Sequence, residues 1–281
     1  MPTNLLCRCF VLLCSLMVLG GAVQADEPNG TPAEVATQDN EVAESLTPES
    51  PKSEAEQADT DESDAEATAR GFDPPAGLKR LAKDYDVWID LKRKLVVVDG
   101  QVCLRRGQLE MFACPKGTKE HESVISVNTP AQIVHAALLA IGAKSGTPVQ
   151  FDPEYMPATG DTIEILVLWK DKNGKREQVR AQQWVKHVAT GKAMTYDWVF
   201  AGSGFWTDPA TGKKHYHGDA GDFICVSNFP TATLDLPVKS SADATDLLYE
   251  AFTENIPPLQ TPVRLVLMRK AVKTSDPEPK E

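Results

Sequence analysis

The chain has 281 residues, of which 42% are hydrophobic, 7% aromatic and 25% charged, and its formal net charge is -11. This length is enough for one or two packed domains. The excess of 40 acidic over 29 basic residues argues against a nucleic-acid-binding protein and against a basic helix on a membrane surface, because both depend on clustered cations.

The N-terminus has the layout of a secretory signal peptide. Arg8 is the only charged residue before an apolar run over residues 9–19, and a small-residue cleavage sequence ends at Ala25. The run is shorter than the roughly 20 apolar residues that cross a bilayer as a helix. We expect residues 1–25 to be cleaved, which leaves an exported protein, periplasmic or extracellular, with no transmembrane segment. An uncleaved N-terminal anchor is the alternative.

Residues 26–70 form an acidic segment without aromatic side chains. The segment holds 14 Asp and Glu against two Lys and Arg, and its few aliphatic residues cannot offset the entropy of ordering. We expect a disordered linker here and a disordered tail over residues 271–281; an acidic interaction tail is the alternative for the linker. Residues 71–281 hold 26 acidic and 26 basic groups, so there the exclusion of nucleic acid rests on export and on the lack of a basic patch.

Strand patterns dominate the first half of the predicted domain, residues 71–270. A short helical stretch is predicted at residues 78–82. Asp99-Gly100 is a dipeptide favoured in two-residue hairpins, and it lies between two apolar runs. The pattern predicts an antiparallel meander, with strands at residues 87–89, 95–98, 102–104, 109–114 and 123–127.

Two longer helices are predicted in the remaining sequence. The first begins with Thr129 as N-cap and Pro130 at its first position, ends at Gly142, and is apolar nearly all round, so we expect it to be buried. The second is predicted at residues 242–252, capped by Ser240 or Ser241. Strands and helices do not alternate regularly, so the pattern predicts a single α+β domain with a mostly antiparallel sheet and two main helices. The later strands of this domain are predicted at residues 162–169, 177–181, 198–201, 223–229 and 262–268.

Several motifs of this domain resemble the YdjY-type domain of exported bacterial proteins. The most specific is the string from Ala113 to Ser123, and the resemblance covers roughly residues 87–270. It implies no particular reaction. The chain lacks the four closely spaced cysteines of a 4Fe–4S cluster, so a ferredoxin-like role is not carried over. The other matching segments are residues 102–110, the helix with His135 to Leu139, residues 146–149, Gly202-Ser203-Gly204 and Asn228-Phe229-Pro230.

Three cysteines remain after the predicted cleavage. Cys103 and Cys114 flank a turn at Arg106-Gly107. A four-residue loop over residues 107–110 places the two side chains opposite each other on neighbouring strands, whereas a two-residue turn does not, so a disulfide between them depends on register. Cys225 lies in an apolar strand pattern and is expected to be an inert core residue.

The polar loop at residues 116–122 is the first candidate site. His121, flanked by Glu120 and Glu122, has the residue type and the neighbours of a general base or a metal ligand, with Cys114 as a thiolate partner. The alternative is a loop whose charges form local hydrogen bonds and hold the neighbouring strands together.

His215 and His217 are the second candidate site. On a strand their side chains point to the same face, and with Asp219 they form a ligand set for zinc or another divalent transition metal. His121 would complete a three-histidine site if it folded near the pair. A solvated polar hairpin explains the same residues equally well. No other cofactor is expected.

The function predicted from the sequence is a non-enzymatic binding module of the cell envelope. An envelope protein or a small ligand would bind at residues 116–122 and 202–222. The alternative is a metal- or cysteine-dependent enzyme that uses His121, His215 and His217, and it requires these side chains to converge in one pocket. His135 is expected to be a hydrogen-bonded core histidine, and Gly202-Ser203-Gly204 a tight bend rather than a nucleophile elbow.

Overall fold

The structure, a computed structural model, describes residues 72–241 and 247–270. The predicted signal peptide, acidic linker and C-terminal tail lie outside the described residues, so these boundaries remain predictions. No helix in the described part of the chain is long and apolar enough to cross a membrane.

The described residues form a mostly β structure, with 37% strand and 11% helix. Their only α-helix is α1 (Ala131–Ala140), accompanied by short 3-10 helices at Glu120–Glu122, Ala181–Trp184 and His217–Ala220. The strands are β1 (Lys79–Arg80), β2 (Val87–Asp90), β3 (Leu95–Val102), β4 (Met111–Pro115), β5 (Ser123–Val127), β6 (Thr162–Lys170), β7 (Arg176–Arg180), β8 (Val185–His187), β9 (Lys192–Ala193), β10 (Trp198–Val199), β11 (Phe205–Thr207), β12 (Lys214–Tyr216), β13 (Ile224–Cys225), β14 (Tyr249–Ala251) and β15 (Pro262–Arg269).

The predicted α+β fold with two main helices is wrong. Strands form within both of the other segments that were predicted to be helical, residues 78–82 and 242–252. Within the predicted helix 242–252, residues 242–246 lie outside the described residues, and Tyr249–Ala251 form β14, which pairs with β8. Tyr249 and Ala251 are buried by that pairing. The short helix expected at residues 78–82 is replaced by β1, which pairs with β2. Cross-strand pairing and burial override a local helical pattern here.

A ten-stranded sheet forms the body of the described structure. Its main order is β10-β6-β15-β3-β5-β4-β13, with β7 paired to β6, β2 paired to β3, and β1 paired to β2. The last strand, β15, lies between β3 and β6 and pairs with each over seven residue positions. All these pairings are antiparallel except that of β4 with β5. Two smaller sheets contain β11-β12 and β14-β8-β9.

The hairpin predicted at Asp99-Gly100 is also wrong, because β3 continues through both residues. Asp99 is 6% exposed and accepts two hydrogen bonds from Arg264 on β15, at 2.6 Å to Oδ1 and 2.7 Å to Oδ2. Gly100 passes close to β5, where an added Cβ would lie 2.4 Å from the carbonyl oxygen of Ser126. A turn-type dipeptide is therefore kept in a strand by an ion pair and a close backbone contact.

Helix α1 packs one side on the sheet and leaves the other exposed. Val134, Ala137 and Leu138 are buried in the main core, whereas Leu139 is 47% exposed. The helix is therefore not buried all round as predicted, and its exposed side is largely apolar. Its start and end follow the predicted signals closely, but Thr129 makes no side-chain capping hydrogen bond.

Candidate functional site

The two loops that the sequence proposes as a binding surface meet beside β4 and β13. Lys119, in the 116–122 loop, places its Nζ 3.0 Å from Oδ1 of Asp222. Its side chain crosses Gly221, where an added Cβ would lie 2.5 Å from Lys119 Cγ. Gly221 also has a φ of 133°, which favours glycine. The loop junction is thus built on a glycine that leaves room for the lysine.

A cluster of charged side chains surrounds the Lys119 ammonium group. Its Nζ lies 3.5 Å from Glu122 Oε1 and 3.9 Å from Glu110 Oε2, and 4.7 Å from the centroid of the Phe229 ring. We call Glu110, Lys119, Glu122, Asp222 and Phe229 the carboxylate–lysine cluster. Three carboxylates and one aromatic ring therefore hold one cation.

Burial and neighbouring charges together shift the pKa values of the cluster. Burial raises the pKa of Glu110, and the neighbouring Glu122 raises it further, while Lys119 opposes both effects. For Lys119, burial lowers the pKa, but the hydrogen bond and charge of Asp222 outweigh burial and raise it above its usual value. Lys119 is therefore a charged structural cation, and it does not fully neutralise the carboxylates around it.

Of the predicted catalytic group, Glu120 and His121 lie at the rim of this cluster. His121 is exposed over 76% of its side chain, and its Nε2 lies 3.8 Å from Oε2 of Glu122. Glu120 accepts a hydrogen bond from the backbone N–H of Gly117 and so closes the loop on itself. The structure brings His121 next to one carboxylate, Glu122.

Cys114, in contrast, is fully buried, and Cys103 is partly buried. Both are free thiols, and β5 lies between β4, which carries Cys114, and β3, after which Cys103 follows, so the two cysteines do not face each other across a hairpin. The Cys103 thiol donates to the carbonyl oxygen of Ser123 at 3.0 Å.

The surroundings of Cys114 favour a thiolate. Interaction with the Cys103 side chain lowers the Cys114 pKa most, and burial opposes that effect. The neighbouring Ser123, Thr118 and Lys119 lower the pKa further, to about 7. Hydrogen bonding to Cys114 and burial both raise the pKa of Cys103. Cys114 therefore loses its proton at lower pH than Cys103 does.

The candidate metal ligands are placed in different local structures. His215, on β12, stacks on Trp206 with ring centroids 4.8 Å apart. β12 ends at Tyr216, and His217 begins a 3-10 helix, so the regular strand geometry does not extend from one histidine to the other. Over residues 72–241 and 247–270, no group of three or more His, Cys, Asp or Glu is placed to hold a metal ion.

Asp219 has a different partner, the N-terminus of α1. Its Oδ1 accepts the backbone N–H of Gln132 at 2.9 Å, and the N–H of Ala131 also contributes. Burial raises the Asp219 pKa, and these N–H groups oppose that effect. Because the first N–H groups of a helix have no partner within it, a carboxylate from another segment can act as the cap. This cap replaces the one expected from Thr129.

Two further groups of polar side chains are buried in the domain, and of their members the sequence indicated only His135, as a hydrogen-bonded core histidine. In the first, the Tyr216 hydroxyl lies 2.9 Å from His135 Nδ1 and 3.1 Å from both Gly202 O and Thr233 Oγ1. Burial lowers the His135 pKa. His135 is thus a half-buried, hydrogen-bonded histidine. The local sequence signal for this network is the pair of glycines, Gly202 and Gly204, on either side of Ser203; the φ of Ser203 is 52°.

The second group is centred on Asp235, which is fully buried. It accepts hydrogen bonds from Asn228 Nδ2, from the N–H of Phe229 and from the N–H of Leu236, at 3.1, 3.3 and 2.7 Å. Burial nevertheless raises the pKa of Asp235 to about 7. Asp235 shapes the segment that presents Phe229 to Lys119. A single aspartate in an irregular segment carries no sequence signature of this role.

Comparison with known proteins places these residues in one family domain. The YdjY domain model matches residues 87–268. The chain belongs to the YdjY domain family. No curated protein and no solved structure matches the chain. The match includes both the carboxylate–lysine cluster and the Cys103–Cys114 pair, so both lie in the YdjY domain and not in the segments that flank it.

Proposed function

We propose that this YdjY protein is an exported binding module of the cell envelope, and that it binds a partner carrying a cationic group at the carboxylate–lysine cluster. The observation that carries the proposal is the contact between the two loops, made by Lys119 and Asp222 at 3.0 Å. A binding surface built from two loops on a rigid sheet is a common arrangement.

The charge of the partner follows from the electrostatics of the cluster. Glu110, Glu122 and Asp222 surround one ammonium group, and the pKa of Glu110 is raised first by burial and then by the charge of Glu122, against the effect of Lys119. A second cation near Glu110 and Glu122 stabilises both carboxylates. His121, exposed beside Glu122, lies on the side from which a partner approaches.

Export is supported by the sequence of residues 1–25, with Arg8, the apolar run and the small residues that end at Ala25. The test is the intact mass of the full-length chain after expression in a bacterium with a periplasm. We expect a periplasmic protein that begins at Asp26. A Leu12→Arg, Leu13→Arg variant should keep residue Met1 and stay in the cytosol. A wild-type chain that keeps Met1 contradicts the export proposal.

Binding is tested with a tri-arginine peptide as the probe, by titration calorimetry at low salt. We expect Glu110→Gln with Glu122→Gln to weaken the peptide affinity by at least about tenfold, equal to about 1.4 kcal/mol. The control removes two carboxylates from the distant β6–β7 pair, Glu164→Gln with Glu177→Gln, and should change the affinity less than about twofold.

Equal losses in the two double variants, or no binding of the peptide to the wild-type chain, overturn the proposed binding face. The metal- or cysteine-dependent enzyme gains no support from the geometry, because His121 pairs with Glu122 whereas His215 stacks on Trp206.

A further inference from the structure

A cavity of about 330 Å³ lies between the first described residues of the chain and the sheet. This volume is at the lower end of the range for sites that bind small molecules. None of the lining residues belongs to the carboxylate–lysine cluster. The cavity is lined by residues 72–76, by Leu168, Trp169 and Lys170 of β6, by Arg176 of β7 and by Arg264 of β15.

Two of the cations that line the cavity stand opposite each other. Lys170 and Arg176 are direct cross-strand partners in the pairing of β6 with β7. Like charges in such positions repel each other and weaken the pairing. Within residues 72–241 and 247–270, neither side chain has an ion-pair partner. An anion bound between the two side chains therefore removes a repulsion that the protein itself leaves uncompensated.

Arg264 supplies the third cation, and it is held in place from several directions. It is buried, with 9% of its surface exposed. Its Nε and Nη2 donate to the Asp99 carboxylate, and Nη2 also donates to the carbonyl oxygen of Asp73. Its central carbon lies 4.8 Å from the centroid of the Phe72 ring and 5.5 Å from that of the Trp88 ring. Among the described residues Nη1 has no acceptor, so this nitrogen remains available to a ligand.

The net charge of the cavity fits a ligand with one negative charge. Asp73 is the carboxylate among the lining residues, and Asp99 neutralises Arg264 from β3. Three cations against these two carboxylates leave one formal positive charge at neutral pH. The remaining lining residues are apolar, which favours a ligand with an apolar body: Phe72, Pro74, Pro75, Ala76, Leu168 and Trp169.

We propose that this cavity binds a small carboxylic acid with an apolar body, as its monoanion. The Lys170 ammonium group lies 5.9 Å from the centroid of the Phe72 ring, which Arg264 also approaches, so both cations reach the same part of the cavity. The carboxylate binds to these cations and to Arg176, and the apolar body packs against Phe72 and Leu168. Guanidinium groups match the planar geometry of a carboxylate.

The wall formed by residues 72–76 is ordered without a ligand. The carbonyl oxygen of Asp73 is bound by Arg264 at 2.9 Å, and that of Pro75 accepts the N–H of Leu78 at 3.2 Å. The two consecutive prolines, Pro74 and Pro75, further restrict the backbone. A site that is formed in advance spends little of its binding free energy on ordering its own walls.

The test is a titration of the full chain with benzoate, followed by two-dimensional proton–nitrogen NMR. We expect saturable binding with a Kd of about 1 mM or tighter. The backbone shifts should be concentrated at residues 72–76, 168–170 and 176. Benzamide has nearly the same shape without the charge, and it should bind at least about tenfold more weakly.

Variants of the two opposed cations test the site itself. We expect Lys170→Gln with Arg176→Gln to weaken benzoate binding by at least about tenfold. The matched control, Lys172→Gln with Lys192→Gln, removes the same charge from exposed positions outside the cavity and should change the affinity less than about twofold. Without ligand, the first variant should be at least as stable in urea as the wild type, because it loses a like-charge pair. This measurement separates lost binding from lost folding.

Three outcomes overturn the site: no saturable binding of benzoate to the wild-type chain, equal affinity for benzamide and benzoate, or equal losses in the two double variants. In Lys170→Gln with Arg176→Gln the tri-arginine affinity should stay within about twofold of wild type, since no residue of the carboxylate–lysine cluster is changed. Failure of this site is therefore distinguishable from failure of the cationic-partner proposal.

Discussion

At the residue scale, single polar side chains in the YdjY domain take roles that depend on distant partners. Asp99 is a strand residue because Arg264 neutralises it, although the same Asp-Gly dipeptide is a strong turn signal when it stands alone. Asp219, a predicted metal ligand, caps a helix in the described structure, since the N-terminus of α1 lies within hydrogen-bond distance of it. The residue type limits the chemistry, and the neighbours decide which chemistry is used.

Asp235 gives a prediction on pH dependence. Its pKa is about 7 in the folded protein and near 3.8 in the unfolded chain, so between these values the folded state binds the extra proton. The Asp235 contribution to the free energy of unfolding is therefore present at low pH and falls as pH rises from 3.8 to about 7, by at most about 1.4 kcal/mol per pH unit.

We expect Asp235→Asn to remove this part of the pH dependence, measured by urea unfolding between pH 5 and pH 8. Asp222 lies close enough to raise the Asp235 pKa, so Asp222→Asn is the informative control and should shift the transition to lower pH without removing it. Identical pH profiles for wild type and Asp235→Asn contradict the assignment.

At the element scale, most strands and the first helix follow their sequence patterns. The run at residues 123–127 coincides with β5, and those at 87–89 and 262–268 differ from β2 and β15 by one residue at one end. The element that fails most clearly is the second helix, because residues 249–251 pair with β8 instead. A helical pattern of limited length is a weak preference that a partner strand overrides.

Helix α1 gives a prediction at this scale. Removal of the Asp219 carboxylate leaves the N–H groups of Gln132 and Ala131 without their acceptor. We expect Asp219→Ala to lower the free energy of unfolding by about 0.5–2 kcal/mol, measured with urea. Glu154→Ala, at an exposed position, is the control and should stay within about 0.5 kcal/mol of wild type. An unchanged stability of Asp219→Ala shows that the cap has no energetic role.

At the scale of the whole molecule, β15 holds the sheet together because it lies between β3 and β6. Arg264 on this strand connects three parts of the chain. Its guanidinium binds Asp99 on β3, donates to the carbonyl oxygen of Asp73 at 2.9 Å, and lies 4.8 Å from the centroid of the Phe72 ring. The final strand thereby orders both the centre of the sheet and the start of the described domain.

Breaking this buried ion pair should destabilise the entire sheet. We expect Arg264→Ala to cost about 3–5 kcal/mol of unfolding free energy, because Asp99 stays buried without its bidentate partner. The control is Arg269→Ala on the same strand, whose more exposed ion pair with Asp161 should contribute less than about 1 kcal/mol. Denaturant unfolding measures both variants. Equal losses contradict the distinction between the buried and the exposed pair.

The sequence by itself determined most strand positions, the first helix, the family, and the loops that form the candidate site. These properties depend on residues that are close along the chain: apolar alternation, helix start and stop residues, and local motifs. Only the tertiary structure decided that β15 is central, that β5 separates Cys103 from Cys114, and that Lys119 reaches Asp222. Each of these contacts joins segments far apart in sequence, and local patterns do not specify which distant strand or loop becomes the neighbour.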